Sequence, residues 1–403
     1  MEKKSSKKLV VKGVVVTVTA ILMFIPVLLV WSKIDERESL SLKVSQEIGN
    51  SWGGEQLITS PYFKIPVDKP KEYYEPEESI KHVSDEVEIK GNVSVEVLHR
   101  SIYDVPVYKT GLDVEGVIVL DDETVASARK EGECEIFFGI TDIKGIEENV
   151  ILVLDGKEYE MQPDDGGLSV ALNPYGLKSG VPMEYSLGLK LKGYKFLDFV
   201  NNAETFNLSL QSDYANPGFS GSYLPSKRDV TDSGFTAEWN IYSQGGYSSY
   251  RFGVDFVVPV SQYVQSMRAL KYSFLIILLV FSGIFFVEAV SGRQVNIVQY
   301  IVTGFSLCLF YLLLLAFTEY VVFWLAYLIA SVLTVTSLGA YFVAVLKSRI
   351  AYWFAAAVAV FYAFIYVLLQ LETSGLIIGT MVLFLILLMI MYFTRNLNNK
   401  FNF

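Results

Sequence analysis

The stretch KKSSKKLVVKGVVVTVTAILMFIPVLLVWSKIDER, residues 3–37, decides how the rest of the chain is read. Leu9 to Trp31 form an apolar run long enough to cross a hydrocarbon core, which takes roughly 20 helical residues. A basic tail, 1–8, precedes the run. Its far end, LLVWSKIDER, carries no small-x-small cleavage site, so 9–31 is read as an uncleaved signal anchor rather than a removed leader. The lysines of the tail hold the N-terminus in the cytosol.

Five further runs have the same character: Leu270 to Val290, Tyr300 to Phe317, Val321 to Leu346, Tyr352 to Leu369 and Leu376 to Phe393. With the N-terminus inside, Arg293, Lys347, Arg349, Arg395 and Lys400 all fall on the cytosolic side. The two short outer turns carry Glu319 and Glu372 and no basic residue. The expected organisation is a cytosolic tail at 1–8, an anchor at 9–31, an extracytoplasmic domain at 32–268, a five-span bundle at 269–393 and a cytosolic tail at 394–403.

Composition agrees with a membrane chain. Of 403 residues, 52% are hydrophobic and only 19% charged, outside the usual range of soluble proteins. Of the 43 acidic residues 39 lie between Trp31 and Tyr272, against 23 of the 33 basic ones. Such an acidic middle repels nucleic acid and anionic head groups. The two cysteines, Cys134 and Cys308, fall in the polar middle and in an apolar span, so no disulfide framework is expected. With His82 and His99 the only histidines, the chain offers no zinc set.

The middle reads as antiparallel β, sandwich-like. After a helical continuation of the anchor through IDERESLSLKVSQEIG, a stalk, residues 66–81 carry charge and proline without an apolar period and read as a loop. From about Glu86 short alternating runs follow, among them VEIKGNVSVEVLH, VPVYKTGLDVEGVIVL and VILVLDGKEYEMQ. One helix is expected inside the sheet region, at DDETVASARKEG, with Asp121 to Glu123 at its acidic start.

Reactive groups are sparse. Ser-Lys pairs are conceivable at Ser127 and Lys130 and at Ser226 and Lys227, but a solvated helix face and a turn account for them. Cys134 sits among acids, which raise a thiol pKa and make a poor nucleophile. Asp121-Asp122 and Asp164-Asp165 could meet calcium, yet the ligand spacing of a calcium loop is missing and turns explain them. A carrier keeps charged groups deep in the bilayer, whereas Glu288, Glu319 and Glu372 stand at span ends. Helix packing therefore explains the polar residues of the spans better than a transport path. No catalytic, cofactor or metal residue is nominated, and the expected partners are the lipid bilayer and an envelope protein.

The stretch GFSGSYLPSKRDVTDSGFTAEW, 218–239, reads as architecture: a proline that stops one strand, a TDSG turn whose glycine takes positive φ, and a strand with Phe235, Ala237 and Trp239 on one face. The cluster Lys227, Arg228, Asp229 is the exception, since a solvated turn would tolerate other residues there; a local ion pair is favoured over docking on the membrane part or a partner. Here the chain resembles the CreD family of bacterial inner-membrane proteins, also called cell envelope integrity proteins, over nearly its whole length. The likeness is carried after the anchor by Glu36, Arg37, Glu47, Ile48, Trp52, Gly53, Gln56, Pro61, Ile65 and Pro66. Farther on it is carried by Tyr103, Pro106, Val107, Tyr108, Asp142, Gly145 and Ile146. The densest match is Pro217, Phe219, Gly221, Leu224, Pro225, Arg228, Gly234, Phe235, Ala237 and Trp239, and in the membrane part Lys271, Tyr272, Glu288 and Glu319 agree. Ser60 stands where glycine is expected.

The resemblance implies an inner-membrane protein tied to envelope integrity or envelope stress, whose expression in relatives is under a two-component system and whose level affects colicin tolerance. It supplies no reaction. The expected function is non-enzymatic, with a transporter or channel for a small envelope-active molecule as the alternative and an envelope hydrolase as a third reading.

Overall fold

Pro26 shapes the first element. It has no N–H to give and its ring crowds the carbonyl four residues back, so the chain runs as α1 (Glu2–Leu22) and α2 (Phe24–Trp52). Between them Met23 shares its amide between the carbonyls of Thr19 and Ala20 at 3.1 and 3.2 Å. The computed structural model describes residues 2–66, 79–100, 103–243, 250–256, 262–291 and 294–370, with Thr380, Met381, Phe384 and Leu388 beyond. The expected stalk is α2 itself, which stays helical to Trp52.

Sixteen strands follow: β1 (Gln56–Thr59), β2 (Tyr62–Pro66), β3 (Ser79–Arg100), β4 (Tyr103–Val119), then, after helix α3 (Asp122–Glu131), β5 (Glu135–Gly139), β6 (Ile151–Leu154), β7 (Lys157–Glu160), β8 (Gln162–Asp164), β9 (Gly167–Ala171), β10 (Pro182–Tyr194), β11 (Phe196–Val200), β12 (Ala203–Ser212), β13 (Pro217–Gly221), β14 (Lys227–Thr231), β15 (Gly234–Tyr242) and β16 (Arg251–Phe256). Strands therefore begin well before Glu86. β1 and β2 are only four and five residues long, and β1 pairs in parallel with the distant β11, so no local alternation announces them. The expected loop at 66–81 is corrected at both ends, where Pro66 closes β2 and Ser79 opens β3; 67–78 lie outside the described residues.

Two sheets form. β1, β11, β16 and β13 make one of four strands. The other, of twelve, is built on the long β3–β4 antiparallel pair, with β10 on the far edge of β4 and β12 parallel to β3. Alternation along β10, β12 and β15 turns Leu187, Leu189, Phe206, Leu208, Phe235 and Trp239 into a core shared with Leu197, Phe199, Phe252 and Val254 of the smaller sheet. Burial of each such side chain stabilises by about 1.5–3 kcal/mol. The corner between the sheets is Lys195, which joins β10 to β11 with φ 67°. The acidic pairs lie at a helix cap and a turn: Asp121 Oδ1 accepts the Thr124 amide at 2.7 Å, and Asp165 with Gly166 turns β8 into β9.

A second group of helices follows: α4 (Gln262–Lys271), α5 (Ser273–Ser291), α6 (Ile297–Thr318), α7 (Phe323–Leu346) and α8 (Ile350–Gln370). Among the described residues four helices are long and apolar enough to cross a membrane: the one running Val11–Trp52, and α6, α7 and α8. The expected span from Leu270 to Val290 falls almost wholly on α5, which α4 precedes across a bend of 40° at Tyr272; the pair counts as a fifth span if it is taken as one. The polar, amphipathic QYVQSMRALK forms α4 and the apolar run forms α5. The expected last span, Leu376 to Phe393, falls almost wholly outside the described residues.

The chain divides into two compact units, Met1–Leu40 with Val260–Phe403, and Ser41–Pro259. In the helical unit α6 receives the break in the anchor through small residues. A Cβ on Gly304 would stand 2.5 Å from Met23 Cγ, and Cys308 Sγ donates to the carbonyl of Met23 at 3.7 Å.

Candidate functional site

The signature residues that follow the anchor converge on the point where α2 ends in the β unit. Gly53 and Gly54 both return their amides to the carbonyl of Gly49, at 3.0 and 2.9 Å, and Gly54 turns out of the helix with φ 67°. Gly53 is pressed against the sheet: a Cβ there would lie 2.5 Å from the Lys192 carbonyl oxygen and 3.0 Å from Gly145 Cα. Gln56, wholly buried, is the knot. Its Nε2 donates to the carbonyls of Gly53, Asp142 (2.9 Å) and Lys192 (3.1 Å), and its Oε1 accepts the Asp142 amide at 3.3 Å. One side chain thus joins the helix end, the 142–145 turn and β10.

Trp52 completes this collar. Its Nε1 donates to the Tyr108 carbonyl at 3.3 Å, its ring packs with Val105, Val107 and Tyr194, and the ammonium groups of Lys109 and Lys192 lie 5.7 and 5.3 Å from its centre. Tyr108 is buried, donates to the Phe196 carbonyl at 2.8 Å and holds its phenol proton far above the usual range because of burial, with the Asp198 charge adding to it. Pro106 is buried in the same strand, opposite Val97. Tyr103 is not brought to the collar; it pairs with Arg100 at the end of the β3–β4 hairpin.

The 217–239 residues form a second assembly. Phe219 meets Phe235 and Trp239 edge-on at 5.7 and 5.9 Å, and Trp239 Nε1 donates to the Tyr223 carbonyl at 3.2 Å. Gly221 (φ 95°) and Gly234 (φ 139°) take backbone that a side chain would strain. Leu224 is exposed and Pro225 half-buried. Lys227, Arg228 and Asp229 lie in β14 rather than in a turn, correcting the sequence reading. That strand is exposed along its length and pairs only with β15 among the described strands, so no alternation marked it. Lys227 does pair locally, with Glu238 at 3.3 Å, while Arg228 lies over the Phe219 ring at 5.9 Å.

In the helical unit Glu288 and Glu319 hold the anchor. Lys12 pairs with Glu288 and donates to the Val295 carbonyl at 2.7 Å, and Tyr300 donates to Glu288 at 3.4 Å. Arg37 Nε lies 3.4 Å from Glu319. Lys12 and Arg37 are 25 residues apart on a helical course, roughly 37 Å at 1.5 Å per residue, more than the roughly 30 Å thickness of a hydrocarbon core.

The reactive groups weighed in the sequence and set aside have other partners. Lys130 pairs with Glu131 and Ser226 Oγ accepts the Asn240 amide. Cys134 is buried, and burial, with Glu135 beside it, lifts its thiol to about 11. Among the described residues no three His, Cys, Asp or Glu side chains are placed to hold a metal ion. One group was missed by sequence reading: Asp198, a carboxylate sealed in the all-buried strand FLDFV. Its signal was there, a single charge among four apolar residues.

The sequence profile of the family described as Inner membrane protein CreD matches residues 8–400. The Inner membrane protein CreD of Escherichia coli (strain K12) is 28% identical over 413 residues, covering 94% of this chain and 91% of that protein. Among solved structures, M1 zinc metallopeptidase from Deinococcus radiodurans aligns with TM-score 0.22 at 9% identity over 47% of this chain and 53% of its own. A mutant of that enzyme class with a bound Tyr-Ser-Ala substrate, from the same organism, gives 0.23 at 10% over 43% and 42%. Likeness at that level carries no argument about fold or activity. The family match extends over nearly the whole chain and takes in the collar, the aromatic assembly and both glutamates of the ion pairs: this chain belongs to the CreD family of inner membrane proteins.

Proposed function

We propose that this protein is a non-enzymatic maintenance factor of the cell envelope, with its β unit on the periplasmic side, folded as a sandwich of its two sheets, and both termini in the cytosol. In this reading α4–α5 and the segment 376–393 complete a six-span protein. The observation that carries it is where the signature residues are spent: Trp52, Gly53, Gln56 and Tyr108 fasten the anchor helix into the β unit, and Glu288 and Glu319 fasten the anchor among the helices. Spent on fastening within each unit, these residues point to position rather than chemistry. Its partner is an envelope protein with a cationic face, since Glu88 stands directly across from Glu115. Like charges so placed cost stability, and here they line a groove of about 520 Å3 together with Glu86, Asp155 and Glu184.

The test has two arms. A periplasm-dependent reporter fused near residue 150 is active in this reading, and a cytosol-like signal there overturns the placement. In cells lacking the native copy, Gln56→Ala loses the envelope phenotype while Cys134→Ser and Ser226→Ala keep it; loss with either of the latter favours a reaction. Photo-crosslinking from Glu115 in living cells identifies the partner.

A transporter or channel draws on one observation. Tyr311, Tyr362 and Ser266 are buried among the helices with hydroxyls that meet no partner among the described residues, and such groups are costly in hydrocarbon. If they line a path, Tyr311→Phe with Tyr362→Phe abolishes the phenotype without lowering thermal stability.

A further inference from the structure

We infer that Asp198 is a proton-binding switch that tightens the four-stranded sheet when its surroundings turn mildly acidic. The side chain is 1% exposed, and among the described residues neither oxygen has a hydrogen-bond partner. Buried carboxylates are otherwise stabilised by several donors. Asp198 has one compensating charge, Arg251, whose Nε lies 3.1 Å from Oδ2 outside hydrogen-bonding geometry. That guanidinium is half exposed and drawn aside over the Phe196 ring, 4.9 Å from its centre.

Room for the carboxylate is built into the neighbouring strand. Gly253 faces Asp198 in register, and a Cβ there would stand 2.6 Å from Oδ1. The other charged and titratable groups acting on Asp198 are Asp255 of β16, Glu55 just before β1, and the Tyr108 phenol of β4. Both carboxylates oppose its ionisation, and Lys195 holds Glu55 at 2.6 Å. Burial, only partly offset by Arg251, pushes the Asp198 carboxyl up to about 6.

The sign follows from linkage. A carboxyl with a folded pKa above its unfolded value near 3.8 binds a proton more readily when folded, so stability rises as pH falls through 6 toward 4. The sheet that gains is the one entered from α2 through β1 and left through β16 on the way to α4. The chemistry holds whichever side of the membrane the β unit faces; with the unit outside, as proposed above, the proton reservoir is the medium around the envelope.

The experiment is thermal unfolding of the full-length protein in detergent at pH 7.5 and 5.0. The wild type is expected to gain on the order of 5 °C over D198N in the change from 7.5 to 5.0, and R251Q, lacking the compensating cation, to make that gain at higher pH. The infrared carbonyl band of a protonated carboxyl titrates near pH 6 in the wild type and is missing in D198N. An equal pH response in wild type and D198N, an unmoved midpoint in R251Q, or no carboxyl band titrating between pH 5 and 7 overturns the assignment.

Discussion

Gln56 on β1 and Asp198 on β11 are one register step apart on neighbouring strands, since Gln56 faces Leu197, and both are sealed from water. Gln56 is surrounded by backbone groups that engage both its amide nitrogen and its amide oxygen. Asp198 is surrounded by none and faces a glycine. A buried amide engaged at both atoms defines one arrangement of three segments and has no charge with which to respond to conditions. A buried carboxylate without donors keeps a free energy that depends on proton concentration. The two neighbours therefore separate a joint from a sensor, and substitution of each should act with opposite sign.

The largest effect is expected at the joint. Gln56→Leu removes four hydrogen bonds; the Asp142 carbonyl keeps the Gly145 amide at 3.2 Å, while the Lys192 carbonyl and the Asp142 amide lose Gln56 as their partner. At about 1–3 kcal/mol for each orphaned group, the cost is roughly 3–5 kcal/mol, or a fall on the order of 10 °C in melting temperature. A fall under about 2 °C would mean that the collar is not what fastens α2.

Next in size is the ion pair of Lys12 with Glu288. Lys12→Met leaves Glu288 buried with only Tyr300 against it, a loss of about 2 kcal/mol once the partial exposure of Lys12 is allowed for. Exchange of the pair, Lys12→Glu with Glu288→Lys, should restore most of it. Failure of the exchange would place the role of Glu288 in its bond to Tyr300 rather than in holding the anchor.

Asp198→Asn should move stability the other way. At pH 7.5 it removes an ionised group that the fold tolerates poorly, a gain on the order of 1–2 kcal/mol after discounting for the exposed Arg251. The gain should fade as pH drops below 6, where the wild-type carboxyl is itself neutral. Destabilisation at pH 7.5 would show instead that the Arg251 ion pair outweighs the burial, and the comparison with Gln56 would lose its contrast.

Much of this architecture was legible because its causes are local. Leu9 to Trp31 and the runs that became α6, α7 and α8 announce themselves by length and apolarity, which a hydrocarbon solvent demands of each residue separately. The strands β3, β4, β10 and β15 do so by alternation. What failed was non-local. β1 is four residues long and exists because β11, some 140 positions on, lies beside it. β14 is exposed along its length, so KRDVT looked like a turn. The break at Tyr272 lies at the start of the expected span, where the amphipathic QYVQSMRALK gives way to the apolar run of α5. Gln56, Trp52 and Tyr108 could be picked out by resemblance, but their part in a joint appears only when the 142–145 turn and Lys192 arrive from elsewhere in the chain. Asp198 was visible as an oddity in FLDFV, yet its lack of partners is a property of β16.

The smallest effect is expected at Arg228, and it is the one that best separates folding from recognition. Its side chain is solvated on an edge strand, with the Phe219 ring 5.9 Å away, a contact worth about 0.5 kcal/mol at an exposed site. Arg228→Ala should therefore leave thermal stability within roughly 1–2 °C of wild type. The neighbouring Lys227→Ala, which breaks an exposed pair with Glu238, should do no more. Arg228 nevertheless belongs to the densest part of the family signature, among residues such as Trp239 and Gly234 whose fold roles are plain. If Arg228→Ala lowers the envelope phenotype while stability holds, this edge of β14 is a contact surface and the guanidinium meets an acceptor on a partner. If the phenotype is untouched, the residue's place in the signature reduces to its stacking on Phe219, and the recognition surface lies elsewhere on the β unit.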